Sequence, residues 1–289
     1  MGEEPFGDGP AGLYHVEVGD KWYSWTQFES IDARAAFPSF DEPGYKTPFT
    51  VSLTTQPGFE AVSNAPETGT EKHGDLVTHI FAPTKPLPTY LMAFVVGPFA
   101  TVATEAAPTE YRKEPLPIRI VATQANADRM EFAKENSGPI VDLLEKYFGE
   151  RFPFPKLDQI GSPIMPGAME NAGADIYGDG ILLLDQNPTT SDKQEFGMVV
   201  AHELSHQWFG DLVTPAWWDD IWLNESFANW MGYRIGNEWR PDLNIGTNAI
   251  GEALTIGRRA GLDDALLLET LAKGSADSFV LRNHGVKAM

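Results

Sequence analysis

Along the first hundred residues, β-branched and aromatic positions come in short runs broken by turn chemistry. Residues 50–54, 60–63, 76–81 and 91–96 are such runs, separated by Gln56-Pro57-Gly58, Asn64-Ala65-Pro66, His73-Gly74-Asp75 and Pro83-Thr84-Lys85-Pro86. That spacing predicts a sandwich or antiparallel sheet. The stretch 101–117, with three prolines and several charges, predicts a domain boundary, and 117–122 a further strand. Beyond it the period lengthens. Residues 126–148 place Met130, Phe132, Ala133, Ile140, Val141, Leu144, Tyr147 and Phe148 near helical spacing, with a bend or break expected at Gly138-Pro139. Residues 192–210 and 219–235 predict two more helices. The expected class is α+β: a partial antiparallel β domain over 1–104, then an α/β domain over 105–289.

Composition narrows the chemistry. The 289 residues carry 41 acidic and 21 basic side chains, a formal charge of −20, and no Cys. A field of that sign repels phosphate backbones, so nucleic acid is not an expected partner. The lack of Cys excludes disulfides, thiol nucleophiles and iron–sulfur clusters. No run approaches 18 apolar residues, and residues 1–10 have neither a basic nor an apolar signal region, so neither a membrane span nor a signal peptide is expected within this chain. The compartment is open: cytoplasmic, or exported if a signal lies outside this chain. Oligomeric state is equally open.

The strongest chemical signal is His202-Glu203-Leu204-Ser205-His206, an H-E-x-x-H run. On a helix, residues four apart share a face, so both imidazoles reach one metal ion, while Glu203 stands one step round. The preceding apolar run from Phe196 to Ala201 predicts a buried helix, where two histidines and a glutamate are costly without partners. A hydrolytic zinc site takes three protein ligands and keeps a position for water. Glu225, set between Trp222 and Phe227 in a segment too apolar for a solvated face, supplies the third. The other histidines, His15, His73, His79 and His284, lack metal spacing and read as surface or loop residues.

His202-Glu203-x-x-His206 followed by Glu225 in Trp222-Leu223-Asn224-Glu225-Ser226-Phe227-Ala228 resembles the gluzincin zinc aminopeptidases, the family of aminopeptidase N and leukotriene hydrolase. Gly167-Ala168-Met169-Glu170-Asn171 matches that family's exopeptidase motif, and Thr26-Gln27-Phe28-Glu29 is a third motif, leading into Asp32-Ala33-Arg34 and then Phe40-Asp41-Glu42-Pro43. The likeness runs from about Gly12 to about Gly236. It implies a thermolysin-like catalytic domain, one zinc per chain on His202, His206 and Glu225, and Glu203 as general base. It further implies that Glu170 and Glu29, from different domains, bind the α-ammonium of a peptide with a free N-terminus. The backbone of Gly167, Ala168 and Met169 would run beside the substrate. On their residues alone, without the H-E-x-x-H run beside it, Glu170 reads first as a turn carboxylate, and Glu29 as a solvent-facing strand residue. Asp219, Asp220 and Asn229 read as supports for the zinc histidines, or the aspartates as acids opening the Glu225 helix.

The family's downstream oxyanion tyrosine, in a Tyr-x-Lys-Gly context, has no counterpart. Tyr233 reads as packing, Leu271-Ala272-Lys273-Gly274 lacks the hydroxyl, and nothing in its spacing supports His284. The chain also ends where the family continues into a helical domain, so the expectation is a truncated piece. Two functional readings follow: a zinc aminopeptidase, or a weakly active zinc-binding fragment that holds peptide N-termini. A thermolysin-type endopeptidase would share the zinc residues but have no use for Glu170 or Glu29.

Overall fold

A computed structural model describes residues 9–247. Strands β1 (Gly12–Val18) and β2 (Lys21–Gln27) form a hairpin and continue into β7 (Phe94–Gly97) and β4 (Glu60–Ser63), a four-stranded antiparallel sheet in the order β1-β2-β7-β4. A second antiparallel sheet holds β3 (Ser52–Thr55), β6 (Leu76–Phe81) and β5 (Glu67–His73). The third sheet has the order β11-β12-β10-β9-β8. Its strands are β8 (Ala100–Ala106), β9 (Leu116–Ala122), β10 (Leu157–Ser162), β11 (Ala168–Met169) and β12 (Ala174–Gly178). Strands β9, β10 and β12 run parallel, with antiparallel strands at both edges. The helices are α1 (Ala33–Ala36), α2 (Glu131–Phe148), α3 (Asp179–Leu182), α4 (Thr190–His206) and α5 (Ile221–Trp239).

The four-stranded sheet stacks on one face of the five-stranded sheet. Tyr14, Trp25, Val62 and Val95 from the first meet Val121, Ile160, Ala174 and Ile176 from the second in one buried cluster. Polar tips are satisfied across the seam: Trp25 Nε1 donates to Gly161 O at 3.1 Å, and the Tyr14 and Ser162 hydroxyls lie 3.0 Å apart. A larger core joins β9 and β10 to α2, α4 and α5 through Ile118, Ile120, Leu144, Leu157, Phe196, Leu204 and Ile235. Glu29, two residues beyond β2, is thereby delivered from one sheet toward the edge of the other.

Several local expectations change. Residues 100–106 form strand β8, paired along its length with β9, and the expected division at 104/105 falls inside it. The three prolines lie beyond it. Arg112 then fixes that connection from a buried position, donating to Glu145 Oε1 at 2.8 Å, Ala106 O at 2.9 Å and Glu114 O at 3.0 Å. Helix α2 runs unbroken through Pro139. Gly138 faces Ala106, where a Cβ would find 3.6 Å of room, so the helix lies directly on β8 and burial outweighs the proline cost. The 91–96 run starts later, because Thr89–Leu91 form a 3₁₀ turn. His79 is buried on β6, its Nδ1 2.9 Å from Glu67 Oε2 and its Nε2 3.2 Å from Thr55 Oγ1, rather than lying at the surface.

Candidate metal centre and its carboxylates

Helix α4 begins with a reciprocal cap: Asp192 N donates to Thr189 Oγ1 and Thr189 N to Asp192 Oδ2. Its inner face, Phe196, Val200, Ala201 and Leu204, is buried, and the helix ends at His206. Helix α5 packs on it through glycines. A Cβ on Gly232 would stand 2.6 Å from Met198 O and 3.2 Å from His202 Cβ, and one on Gly236 would stand 3.1 Å from Gly197 O. Small residues thus let the helix bearing Glu225 lie against the helix bearing both histidines.

The resulting geometry is compact. His202 Nε2 and His206 Nε2 are 3.1 Å apart, Glu225 Oε2 is 3.4 Å from the first, and Glu225 Oε1 is 3.8 Å from the second. Tetrahedral bonds of about 2.0–2.1 Å put neighbouring ligand atoms roughly 3.3 Å apart, so these side chains fit zinc. His206 Nδ1 lies 3.3 Å from Phe209 O; a proton on Nδ1 leaves the Nε2 lone pair facing the site. Burial first of all holds both imidazoles below their usual pKa, in the neutral form a metal needs. Asp219 and Asp220 are exposed in the turn before α5, and the carbonyl of Phe209 is what meets His206 Nδ1.

Around this centre stand more carboxylates than the motif supplies. Glu203 has an oxygen within 4.8 Å of ligand nitrogens on His202 and His206, and Glu170 one within 4.8 Å of ligand atoms on His206 and Glu225. Burial, then the charge of Glu225, pushes the Glu170 carboxyl up to about 8. Burial also holds Glu203 and Glu29 well above the carboxylate range, with the Glu170 and Glu225 charges adding to it. Asp175 and Asp211, both fully buried, are pushed up by the same desolvation. Glu170 Oε1 and both carboxylate oxygens of Asp211 are buried without a hydrogen-bond partner. A cluster so rich in buried acid, with unpaired oxygens, is the donor chemistry that cations satisfy.

The Glu170 loop is held from several sides. Met169 and Ala168 form the edge strand β11, and Gly178 N donates to Gly167 O at 2.7 Å. Asn64 Nδ2 donates to Ala172 O at 3.1 Å and to Leu91 O at 2.7 Å. The buried Lys156 ammonium, paired with Asp158 at 2.7 Å, donates to Ser63 O at 2.6 Å and Gly173 O at 2.7 Å. Lys46 reaches from the front of the chain to Asp211 O at 2.8 Å and Thr214 Oγ1 at 2.8 Å. Tyr90 is buried edge-on to Trp218, its hydroxyl unpartnered, and burial and then the Glu170 charge keep it protonated.

The structure therefore brings His202, Glu203, His206, Glu225, Glu170 and Glu29 together. It adds Asp175, Gln207, Asp211 and Tyr90, which sequence reasoning missed. Asp211 and Gln207 follow the H-E-x-x-H run closely enough to have been flagged; Tyr90 carries no such signal. Tyr233 lies away on α5, beside a cavity with Ser191, Gln194 and Met198. Leu271-Ala272-Lys273-Gly274 and His284 lie outside the described residues. Among the described residues, no helix is long and apolar enough to cross a membrane.

Two family models match the chain: the peptidase M1 N-terminal domain over residues 6–91 and the peptidase family M1 domain over residues 132–265. The chain is 37% identical over 256 residues to "Aminopeptidase 2, mitochondrial" of Saccharomyces cerevisiae, covering 86% of this chain and 26% of that protein. It is 36% identical over 254 residues to "Aminopeptidase M1" of Arabidopsis thaliana, covering 87% and 28%. With "Aminopeptidase Ey" of Gallus gallus it shares 38% over 249 residues, covering 82% and 25%. The chain thus spans about a quarter of the length of the curated relatives it matches.

Proposed function

The chain belongs to peptidase family M1, and from that membership we propose that it is a zinc-dependent aminopeptidase acting on peptides with a free N-terminus. His202, His206 and Glu225 hold the metal. When bound, zinc supplies Lewis acidity toward the peptide carbonyl and lets water act as a nucleophile near neutral pH. The Glu203 carboxylate takes the proton that water gives up and passes it to the leaving amine nitrogen. Glu170 and Glu29 receive the α-ammonium, whose charge favours their ionised forms against the burial that disfavours them. The free edge of β11, at Gly167, Ala168 and Met169, lies along the substrate backbone, where small side chains permit close approach.

One observation carries this reading beyond a generic zinc peptidase. Glu170 is buried, has an oxygen without a partner, and lies within 4.8 Å of ligand atoms on His206 and Glu225. A carboxylate so placed serves the end of a chain; an endopeptidase has no use for it. The test pairs an aminoacyl reporter amide with its N-acetyl derivative, before and after chelation. Hydrolysis of the free amine alone, abolished by chelator and restored by zinc, is the expected result. Equal turnover of the acetylated reporter refutes the exopeptidase assignment.

A further inference from the structure

Gln207 follows His206 directly and is wholly buried. The hydrogen bonds of its amide lead to the Glu170 loop and to the start of strand β12 that follows it. Oε1 accepts from Gly173 N at 2.8 Å, while Nε2 donates to Glu170 O at 3.2 Å and to Asp175 Oδ1 at 2.7 Å. One acceptor and two donors are what a primary amide offers, and no charged side chain of that length offers both. The Glu170 side chain, by contrast, has its Oε1 buried without a protein partner. Its place in the pocket is therefore set largely by its backbone, and the backbone carbonyl of Glu170 is held by Gln207.

We propose that Gln207 is a positioning residue for recognition of the substrate amine: it ties the Glu170 backbone to the end of the metal-binding helix and so fixes the distance from the ammonium pocket to the zinc. The inference rests on the aminopeptidase reading and extends it. Gln207 touches neither substrate nor metal. The peptide end is held at one point by the Glu170 carboxylate and at another by the chemistry at the metal, so a pocket that drifts loses the amine before it loses the metal.

Two probes separate these terms in the zinc-loaded chain. L-Leucinol carries the ammonium but no scissile carbonyl; acetohydroxamate is directed at the metal. In Gln207→Met, which keeps the length but not the hydrogen bonds, zinc stoichiometry and acetohydroxamate affinity by calorimetry stay within about threefold of the parent, while leucinol affinity falls about 10- to 100-fold. Unchanged leucinol affinity, or an equal loss for both probes, overturns the proposal and makes Gln207 an ordinary packing residue. If Gln207→Met fails to hold zinc, the same comparison is read in Gln207→Glu, which retains the acceptor for Gly173 N–H and loses both donors. A parent chain that binds acetohydroxamate but not leucinol refutes the ammonium pocket itself, and this inference with it.

Discussion

The contact between α4 and α5, the two helices that carry the candidate metal ligands, makes a quantitative prediction at Gly232. A Cβ there would stand 2.6 Å from Met198 O, whereas ordinary contact begins at 3.4 Å, a shortfall of about 0.8 Å that a backbone atom cannot rotate away from. In Gly232→Ala, α5 must therefore withdraw from α4. Helix propensity favours alanine by roughly 1 kcal/mol, and overpacking costs roughly 1–3 kcal/mol, so the net change is a destabilisation of up to about 2 kcal/mol. The metal should register it more sharply. Glu225 lies about two turns from Gly232 on the same helix, and a site of this kind tolerates displacements of only about 0.5 Å. Zinc affinity, measured by competition with a chromogenic chelator, should fall about 10- to 100-fold. Gly180→Ala on α3, where nothing lies within 4 Å, is the control and should bind zinc like the parent. If Gly232→Ala binds zinc within twofold of the parent and melts higher, close approach at Gly232 does not set the geometry of the centre.

Other substitutions probe separate parts of the molecule. Glu225→Ala should lower zinc affinity by orders of magnitude, whereas Glu203→Gln should keep stoichiometric zinc and lose about 100-fold or more in kcat; metal analysis beside a reporter assay checks both, and a Glu203→Gln chain with a tenth of parent turnover removes Glu203 as base. Arg112→Met should cost about 3 kcal/mol in urea unfolding, because it strips the buried Glu145 carboxylate of its cation; a loss below about 0.5 kcal/mol contradicts that account. Asp179, pushed up to about 6 chiefly by burial, keeps its proton in the folded chain at pH values where the unfolded chain, near 3.8, has released it. Its contribution to stability is therefore full below about pH 3.8 and is lost as pH rises through about 6. Asp179→Asn should flatten the stability profile between pH 4 and 6.5, and identical slopes for parent and variant would refute the assignment.

What the sequence discloses and what it withholds follow from the range of each interaction. His202, Glu203 and His206 are legible because one helical turn brings them together. Glu225 stands out by its aromatic neighbours, but the premise of a buried face fails, since Trp217, Trp222 and Leu223 are exposed and the Glu225 side chain is half-exposed. Strand β5 has no apolar signal at all: Glu67–His73 is exposed throughout and is held by backbone pairing to β6. Strand β8 alternates small residues weakly and sits beside prolines that suggest a linker. Gln207 stands beside His206 in the sequence, but what it holds does not show there, since its partners lie 32 to 37 residues away and no local period marks them. Gly138-Pro139 misleads in the opposite direction, because tertiary packing on β8 carries the helix past a residue that alone would end it.

The buried Lys156 ammonium gives the two halves of the molecule a shared fate. It holds Ser63 from the front sheet and Gly173 from the Glu170 loop at once, with Asp158 as counter-ion. Asn64, next to Ser63, grips the same loop. The seam between the halves and the scaffold of the Glu170 loop are thus one set of bonds. Exchanging the front portion for that of a relative would therefore disturb the Glu170 loop, and under the proposed aminopeptidase reading a mismatch at the seam is expected to surface as altered choice of substrate end. Variation in the two portions is then constrained to proceed in concert, residue against residue, even though the chain joins them through separate stretches of sequence.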